Sequence, residues 1–352
     1  MTENLITYYK ELHKIPEIGF YEFKTQKYIL DKIKLLNCKI HELNPTGLIA
    51  FFDYGSKESI AFRCEMDGLE IYEKNDLEYK STHEGYMHGC GHDGHMAIML
   101  CLAERLQNIR CPRNICLIFQ PSEEKYGGAL SVIESKILSK YNVKEIYGLH
   151  LWPNLKRGVI ASRSKTMMAS STEIDITIVG KESHIANKEN GIDAIMTSFE
   201  LLSQINNQEL LFNCGKITSI GARNVVCSRV TLECSLRSFY EIKRKSFLKD
   251  LNMISLRISQ NNKSNIYIDK KRYIPIVKND LILFEKHRHL IDEVIAPVWQ
   301  SEDFSFYNND FKCLYLFLGL GNTSGLHCND FMFDLSVLEK GLSTFLKIAL
   351  TP

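Results

Sequence analysis

Met87-His88-Gly89-Cys90-Gly91-His92-Asp93-Gly94-His95 places three imidazoles, one thiol and one carboxylate within nine residues, and three glycines leave the backbone free to fold them toward one point. Imidazole and thiolate are good ligands for zinc and for borderline ions such as cobalt and nickel, and imidazole also suits manganese. A metal site is one reading of this stretch. A polar, glycine-rich surface loop is the other, because the stretch alone supplies no second ligand group. What flanks it must decide.

Upstream, Ser59–Cys64 is an apolar strand that runs directly into Glu65-Met66-Asp67-Gly68. Downstream, Met96–Leu106 is an apolar helix that begins as the cluster ends, with Asp93 or Gly94 near its positive terminus. Asn114–Phe119 is almost unbroken apolar, as a strand covered on both faces should be, and it ends in Gln120-Pro121-Ser122-Glu123-Glu124. Glu145–Leu149 is a further strand, ending in His150-Leu151-Trp152-Pro153. Three successive strands thus finish in ionisable clusters, where open α/β sheets place their chemistry.

The rest of the chain frames this core. Residues 3–14 carry apolar side chains at helical spacing and stop before Pro16, and a second helix runs from Glu22 to about Leu36. Thr46–Tyr54 reads as a strand paired with Ser59–Cys64 about Gly55. Near Met167–Ser171 the composition changes, and a strand–helix–strand–strand–helix–strand block follows: Glu173–Val179, Asp193–Ile205, Lys216–Ser219, Thr231–Leu236, Arg244–Ser259 and Asn265–Tyr267. That order fits a small α/β sandwich inserted into a larger domain. The chain returns with a helix at Leu281–Ile295, the cluster Ser301-Glu302-Asp303-Phe304, a strand at Leu314–Leu318, a glycine-rich turn, and a last helix at Leu335–Ile348.

A length of 352 residues suggests two domains. Hydrophobic residues at 45% and charged residues at 24% are the balance of a globular protein. Lys+Arg 43 against Asp+Glu 42 leaves no field to draw in nucleic acid or an anionic membrane. No apolar stretch approaches the roughly 18 residues of a membrane span, and no export signal opens the chain, so cytoplasmic residence is expected. Cysteine is plentiful at 11, but the count is odd, the spacing scattered and no C-x-x-C pair exists. A disulfide framework is not expected.

Cys90 and His92, one glycine apart, could face one ion or straddle two. Glu123 and Glu124 are adjacent, so their carboxylates point apart on irregular backbone: one can bind metal while the other stays free as a base. His327 lies in a late glycine loop, Gly325-Leu326-His327. His88 and His95 either bind metal or hydrogen-bond the residues that do, and Asp93 orients a neighbouring imidazole. His13, His41, His83, His287 and His289 sit in helix or surface contexts and carry no expected role.

At these residues the chain resembles the aminoacylase and hippurate-hydrolase branch of a large dinuclear metallopeptidase family that also holds carboxypeptidases and dipeptidases. The matching blocks, in order, are Leu12–Phe20, Phe62–Leu69, His88–His95, Phe119–Glu124, Gly148–Pro153, Ser301–Phe304 and Gly325–His327. The resemblance implies a zinc-peptidase-like α/β/α catalytic domain, residues 1–166 and 275–352, with a four-stranded α/β lid inserted at 167–274 that pairs into a homodimer in many members. It implies two divalent ions (zinc, manganese, nickel or cobalt) on Cys90, His92, Glu124, His150 and His327. Glu123 would be the general base and Asp67 a further catalytic carboxylate, while Asp93 and His95 would orient ligands. His184, Asn224 and Arg237 would contact substrate, His184 also serving catalysis. Glu65 stands where the branch has aspartate, Lys188 where proline follows the lid histidine, and Val225-Val226-Cys227-Ser228 lacks the usual Ile-Pro.

The implied reaction is hydrolysis of the amide of an N-acyl amino acid. Glu22–Gln26, His83–His88 and Cys214–Thr218 resemble the bacterial N-acetyldiaminopimelate deacetylases within the branch. Alternatives are a broad aminoacylase of the hippurate-hydrolase kind, a metallo-dipeptidase, and a metal-binding protein without catalysis.

Overall fold

The computed structural model describes residues 3–205 and 209–352; Met1, Thr2 and the inserted-block positions 206–208 lie outside the described residues. In chain order the first elements are α1 (Glu3–His13), α2 (Phe23–Ile33), β1 (Lys39–Glu42), β2 (Leu48–Phe52), β3 (Ser59–Glu65), α3 (His92–Leu106), β4 (Asn114–Gln120), α4 (Gly128–Glu134), α5 (Ile137–Lys140), β5 (Val143–Trp152), β6 (Ile160–Ser162) and β7 (Lys165–Met168). Then come β8 (Ser170–Val179), α6 (Ala194–Gln204), β9 (Leu211–Ile220), β10 (Arg229–Ser238), α7 (Glu241–Asn262) and β11 (Asn265–Ile274). The chain finishes with β12 (Val277–Asn279), α8 (Leu281–Lys286), β13 (Glu293–Val294), β14 (Lys312–Gly319) and α9 (Leu338–Ala349).

Two compact units result. One holds the chain up to Met167 together with Lys278–Ala296 and Asp303–Pro352; the other is Met168–Val277 with Pro297–Glu302. The larger unit is built on an eight-stranded sheet in the order β1-β2-β4-β3-β5-β14-β6-β13. Its centre is parallel: β3 pairs with β4 and β5, and β5 with β14. Parallel strands covered on both faces should be largely apolar, and every residue of β3 and β4 is buried, as is every residue of the antiparallel β2. α3 is buried at nearly every position from His92 to Leu106. Between its polar first turn and Glu104-Arg105 it is apolar all round, while α9 buries one stripe, Leu338, Leu342, Phe345 and Ile348.

The smaller unit is a four-stranded antiparallel sheet, β11-β8-β10-β9. Ile174, Ile176 and Ile178 alternate into its core with Val230, Leu232 and Leu236, beneath Leu201 of α6 and Phe247 and Leu251 of α7. This is the larger-plus-smaller α/β architecture that the sequence pointed to.

Several expectations fail in detail. β2 and β3 are not neighbours, because β4 and β5 occupy both edges of β3 and β2 pairs antiparallel with β4 instead. α3 starts at His92, inside the histidine cluster, since Gly91 adopts a left-handed φ of 81° and turns the chain directly into the helix. β5 runs on to Trp152, so His150 lies within the strand and not past it. The helix expected at Leu281–Ile295 stops at Lys286; Asp292 instead accepts the Ile160 N–H at 2.8 Å, and Glu293–Val294 joins the sheet beside β6.

Candidate metal centre

The ends of β3, β4 and β5, the start of α3 and the loop after β14 bring the donors together. Cys90, His92 and His150 offer ligand atoms all within 4.8 Å of one another, and so do Cys90, Glu124 and His327; Cys90 belongs to both groups. The sequence-distant His327 arrives because its N–H donates to the Gly89 carbonyl at 2.8 Å, on a backbone bent to φ 64°.

Whether these side chains suit a cation follows from what else they touch. His150 Nδ1 lies 2.7 Å from the Leu151 carbonyl, and His92 Nδ1 lies 2.9 Å from the Asp67 carbonyl. A carbonyl only accepts, so both rings carry their proton on Nδ1 and keep a lone pair on Nε2. Cys90 Sγ stands 3.5 Å from His150 Nε2. Sulfur at about 2.3 Å and nitrogen at about 2.0–2.1 Å from one tetrahedral zinc lie about 3.5 Å apart. Glu124 Oε1 is buried, has no hydrogen-bond partner among the described residues, and lies 3.0 Å from His327 Nε2. Thiolate, imidazole and carboxylate donors in two overlapping groups fit a pair of divalent ions.

His95 has different obligations. Its Nε2 accepts the Leu151 N–H at 2.9 Å and its Nδ1 donates to Glu65 at 2.7 Å, so neither nitrogen is spare. Burial keeps its pKa well below the usual imidazole range. With both nitrogens engaged, His95 steadies the peptide next to His150, although with Glu65 and His92 it forms a further group of donor atoms within 4.8 Å of one another. Glu65 also contacts Arg63, whose guanidinium reaches Asp303 at 2.7 Å and Gln120 at 2.9 Å. Burial likewise pushes His88 down to about 4, and neither ring nitrogen has a hydrogen-bond partner among the described residues.

Asp67 holds two parts of the site. Its Oδ1 lies 3.3 Å from His92 Nδ1, and its Oδ2 accepts the Glu124 N–H at 2.9 Å. Burial alone would raise this carboxyl; the His92 contact and the Glu124 and Glu123 amides overcome it and hold the pKa below the ordinary value. Glu123 stands in a third group with His92 and Glu124. Asp93 does orient an imidazole, but that of His13, 2.6 Å away on α1.

His13 was given no role on sequence, yet it is buried between Asp93 and Glu73. Its place four residues after Tyr9 on the apolar stripe of α1 was the available signal. Arg63, Gln120 and Glu22 fall inside matching blocks of the sequence, where nothing marks them as buried partners of the site. In the smaller unit, His184 is exposed, and the Ile185 N–H donates to the Asn224 carbonyl at 2.9 Å, so these two segments adjoin. Arg237 lies on β10 with Nη1 2.8 Å from Ser301 Oγ. Cys227, at the departure from the family pattern, is buried against the Ile220 and Arg229 carbonyls. No helix among the described residues is long and apolar enough to cross a membrane.

Fold and donor set together define a metal-dependent hydrolase with a two-cation centre. The model of peptidase family M20/M25/M40 matches residues 61–351, and the chain belongs to that family. It is 29% identical over 365 residues to N-acetyldiaminopimelate deacetylase of Leuconostoc mesenteroides, covering 97% of this chain and 95% of that one. It is 33% identical over 341 residues to the protein of that name from Exiguobacterium sibiricum, covering 90% and 91%. Among solved structures, the Bacillus subtilis YxeP protein, a dinuclear metal-binding peptidase of the M20 family, superposes with a TM-score of 0.90 at 26% identity, over 98% of this chain and 96% of that one.

Proposed function

We propose that the chain hydrolyses the amide bond of N-acyl amino acids, with N-acetyldiaminopimelate as substrate and acetate and diaminopimelate, an amino acid of lysine synthesis, as products. The observation that carries the reading is the Glu123–Glu124 pair. Glu124 groups with Cys90 and His327, while the neighbouring carboxylate groups with His92 and Glu124 at the mouth of β4. Relatives bearing the deacetylase name at 29–33% identity support the choice of substrate.

In this reading Cys90, His92, Glu124, His150 and His327 hold two divalent ions. Bound ions supply Lewis acidity, easing loss of a proton from water and polarising the acyl carbonyl. Glu123 takes the proton as water adds to the acyl carbon, then delivers it to the leaving amine as the C–N bond breaks. Asp67 keeps His92 and the glutamate pair in place throughout. His184 is assigned to the developing oxyanion, and Asn224 and Arg237 to the substrate, Arg237 through its carboxylate. β9 is an edge strand exposing Leu211, Ile217 and Ile220, which supports pairing of the smaller unit into a homodimer.

Protein loaded separately with zinc, manganese, cobalt or nickel should be assayed against N-acetyldiaminopimelate, other N-acetyl and N-benzoyl amino acids, and dipeptides. Acetyl substrates should turn over fastest. Glu123→Gln should keep its metal and lose about 10²–10⁴-fold in rate. Full activity in that variant would remove Glu123 as base; preference for benzoyl substrates or dipeptides would move the enzyme to a hippurate-hydrolase or dipeptidase role.

A further inference from the structure

The turn Ser122–Glu124 is held at both ends by buried carboxylates, and only one belongs to the site described above. Asp67 takes the Glu124 end. At the other end the Ser122 N–H donates to Glu22 Oε1 at 2.8 Å, and Glu22 Oε2 accepts from the Thr46 hydroxyl. Glu22 and Thr46 are fully buried. Glu22 precedes the first residue of α2, where a side chain ordinarily caps its own helix. It makes no such cap and reaches Ser122 instead.

Burying this carboxyl has a cost, which its hydrogen bonds offset only in part. Burial and the nearby Asp67 charge push the Glu22 carboxyl up to about 7, against the pull of its hydrogen bonds. Ser122 adopts a φ of 48°, which a non-glycine residue keeps only when its surroundings impose it. Those surroundings are tight, since a Cβ added at Gly19 would stand 2.8 Å from Ser122 Cα. The segment that carries Gly19 and Glu22 lies ahead of the part matched by the family model.

We propose that Glu22 is a positioning residue: with Asp67 it clamps the Ser122–Glu124 turn and so fixes where the Glu123 and Glu124 carboxylates point. This rests on Glu123 as base and Glu124 as ligand. What matters is an acceptor at the right reach, not a charge. Glutamine supplies that acceptor and can donate its amide to Thr46; aspartate keeps the charge but falls one methylene short.

The test compares Glu22→Gln, Glu22→Asp and Glu22→Leu in the full chain. Cobalt and zinc titrations by calorimetry give the two cation affinities, and hydrolysis of an N-acetyl amino acid gives kcat and KM. Glu22→Gln should behave as the parent. Glu22→Asp and Glu22→Leu should weaken one cation equivalent about tenfold or more and lower kcat about 10–100-fold, with KM little changed. If aspartate outperforms glutamine, if both cations weaken equally, or if aspartate and leucine match the parent, the proposal is overturned. Should Glu22→Leu fail to fold, the order of glutamine and aspartate decides alone. A parent that binds two cations but hydrolyses none of the substrates would refute the proposed activity, and the cation titration would still judge Glu22.

Discussion

Replacing His13 by glutamine should cost stability in a way that depends on pH. His13 sits 2% exposed, with Nδ1 2.6 Å from Asp93 and Nε2 3.2 Å from Glu73. Neither carboxylate donates when ionised, so both ring nitrogens must carry protons and the ring is an imidazolium. Burial works against that charge, but the two carboxylates overcome it and raise the pKa from 6.5 to about 9. A histidine raised in the folded state contributes fully below its unfolded value and loses the contribution as pH climbs through the folded one. The rise corresponds to roughly 3 kcal/mol at pH 5.5, about 2 at pH 7.5, and under about 0.5 at pH 9. The gap between parent and variant should therefore be widest below about pH 6.5 and close by about pH 9.5. Urea unfolding of metal-free protein in chelator at pH 6, 7.5 and 9 measures it without linkage to cation binding. A gap that stays flat or widens between pH 6.5 and 9 would refute the imidazolium.

Three further outcomes follow from contacts in the larger unit. Gly128→Ala would place a Cβ 1.8 Å from the Pro121 carbonyl oxygen, so the first turn of α4 must move; thermal unfolding should show a loss of about 1–3 kcal/mol, and an unchanged Tm contradicts the clash. Cys90→Ser should weaken both zinc equivalents in equilibrium dialysis, because Cys90 stands in both donor groups, whereas loss of one equivalent alone would deny the sharing. Arg63→Met strands the buried Glu65 and Asp303 carboxylates, which should lower the urea midpoint by the equivalent of about 3–5 kcal/mol; a change under about 1 kcal/mol would mean the network rearranges around the loss.

The parallel strands were legible because burial on both faces writes itself as an unbroken apolar run, as in Asn114–Phe119. Their order was not. Nothing within Thr46–Tyr54 records that β4 takes the edge of β3 to which it would otherwise pair. Helix starts suffered similarly: His92 begins α3 because Gly91 turns left-handed, whereas the apolar pattern becomes visible only at Met96. Strand ends and resemblance point to the five side chains that gather in the two donor groups, but not to the residues that support them. His13 and Glu22 lie far from the cluster in sequence, and beyond the position of His13 on the buried stripe of α1 nothing in the pattern names their partners. Composition shows that such charges exist, and only the fold shows which ones have lost water.

The histidine cluster carries this argument furthest. His92 and His95 are three residues apart on one helix, and in sequence either could bind an ion. What separates them is the second partner of each ring. A carbonyl at Nδ1, as His92 has from Asp67 and His150 has from Leu151, fixes the proton there and leaves Nε2 basic toward a cation. A backbone N–H at Nε2, as His95 has from Leu151, consumes that lone pair. Leu151 thus serves both rings from its two flanking peptides, its carbonyl oxygen facing His150 and its N–H committing His95. Leu151 also fills the space beside Gly91 and Gly94, with its Cδ1 3.0 and 2.8 Å from where a Cβ would stand. Glycine at those positions lets β5 approach α3 closely enough for the Leu151 N–H to reach His95. The glycines of the motif are needed for that approach, which engages His95 with the strand, while the Asp67 and Leu151 carbonyls set the protonation of His92 and His150.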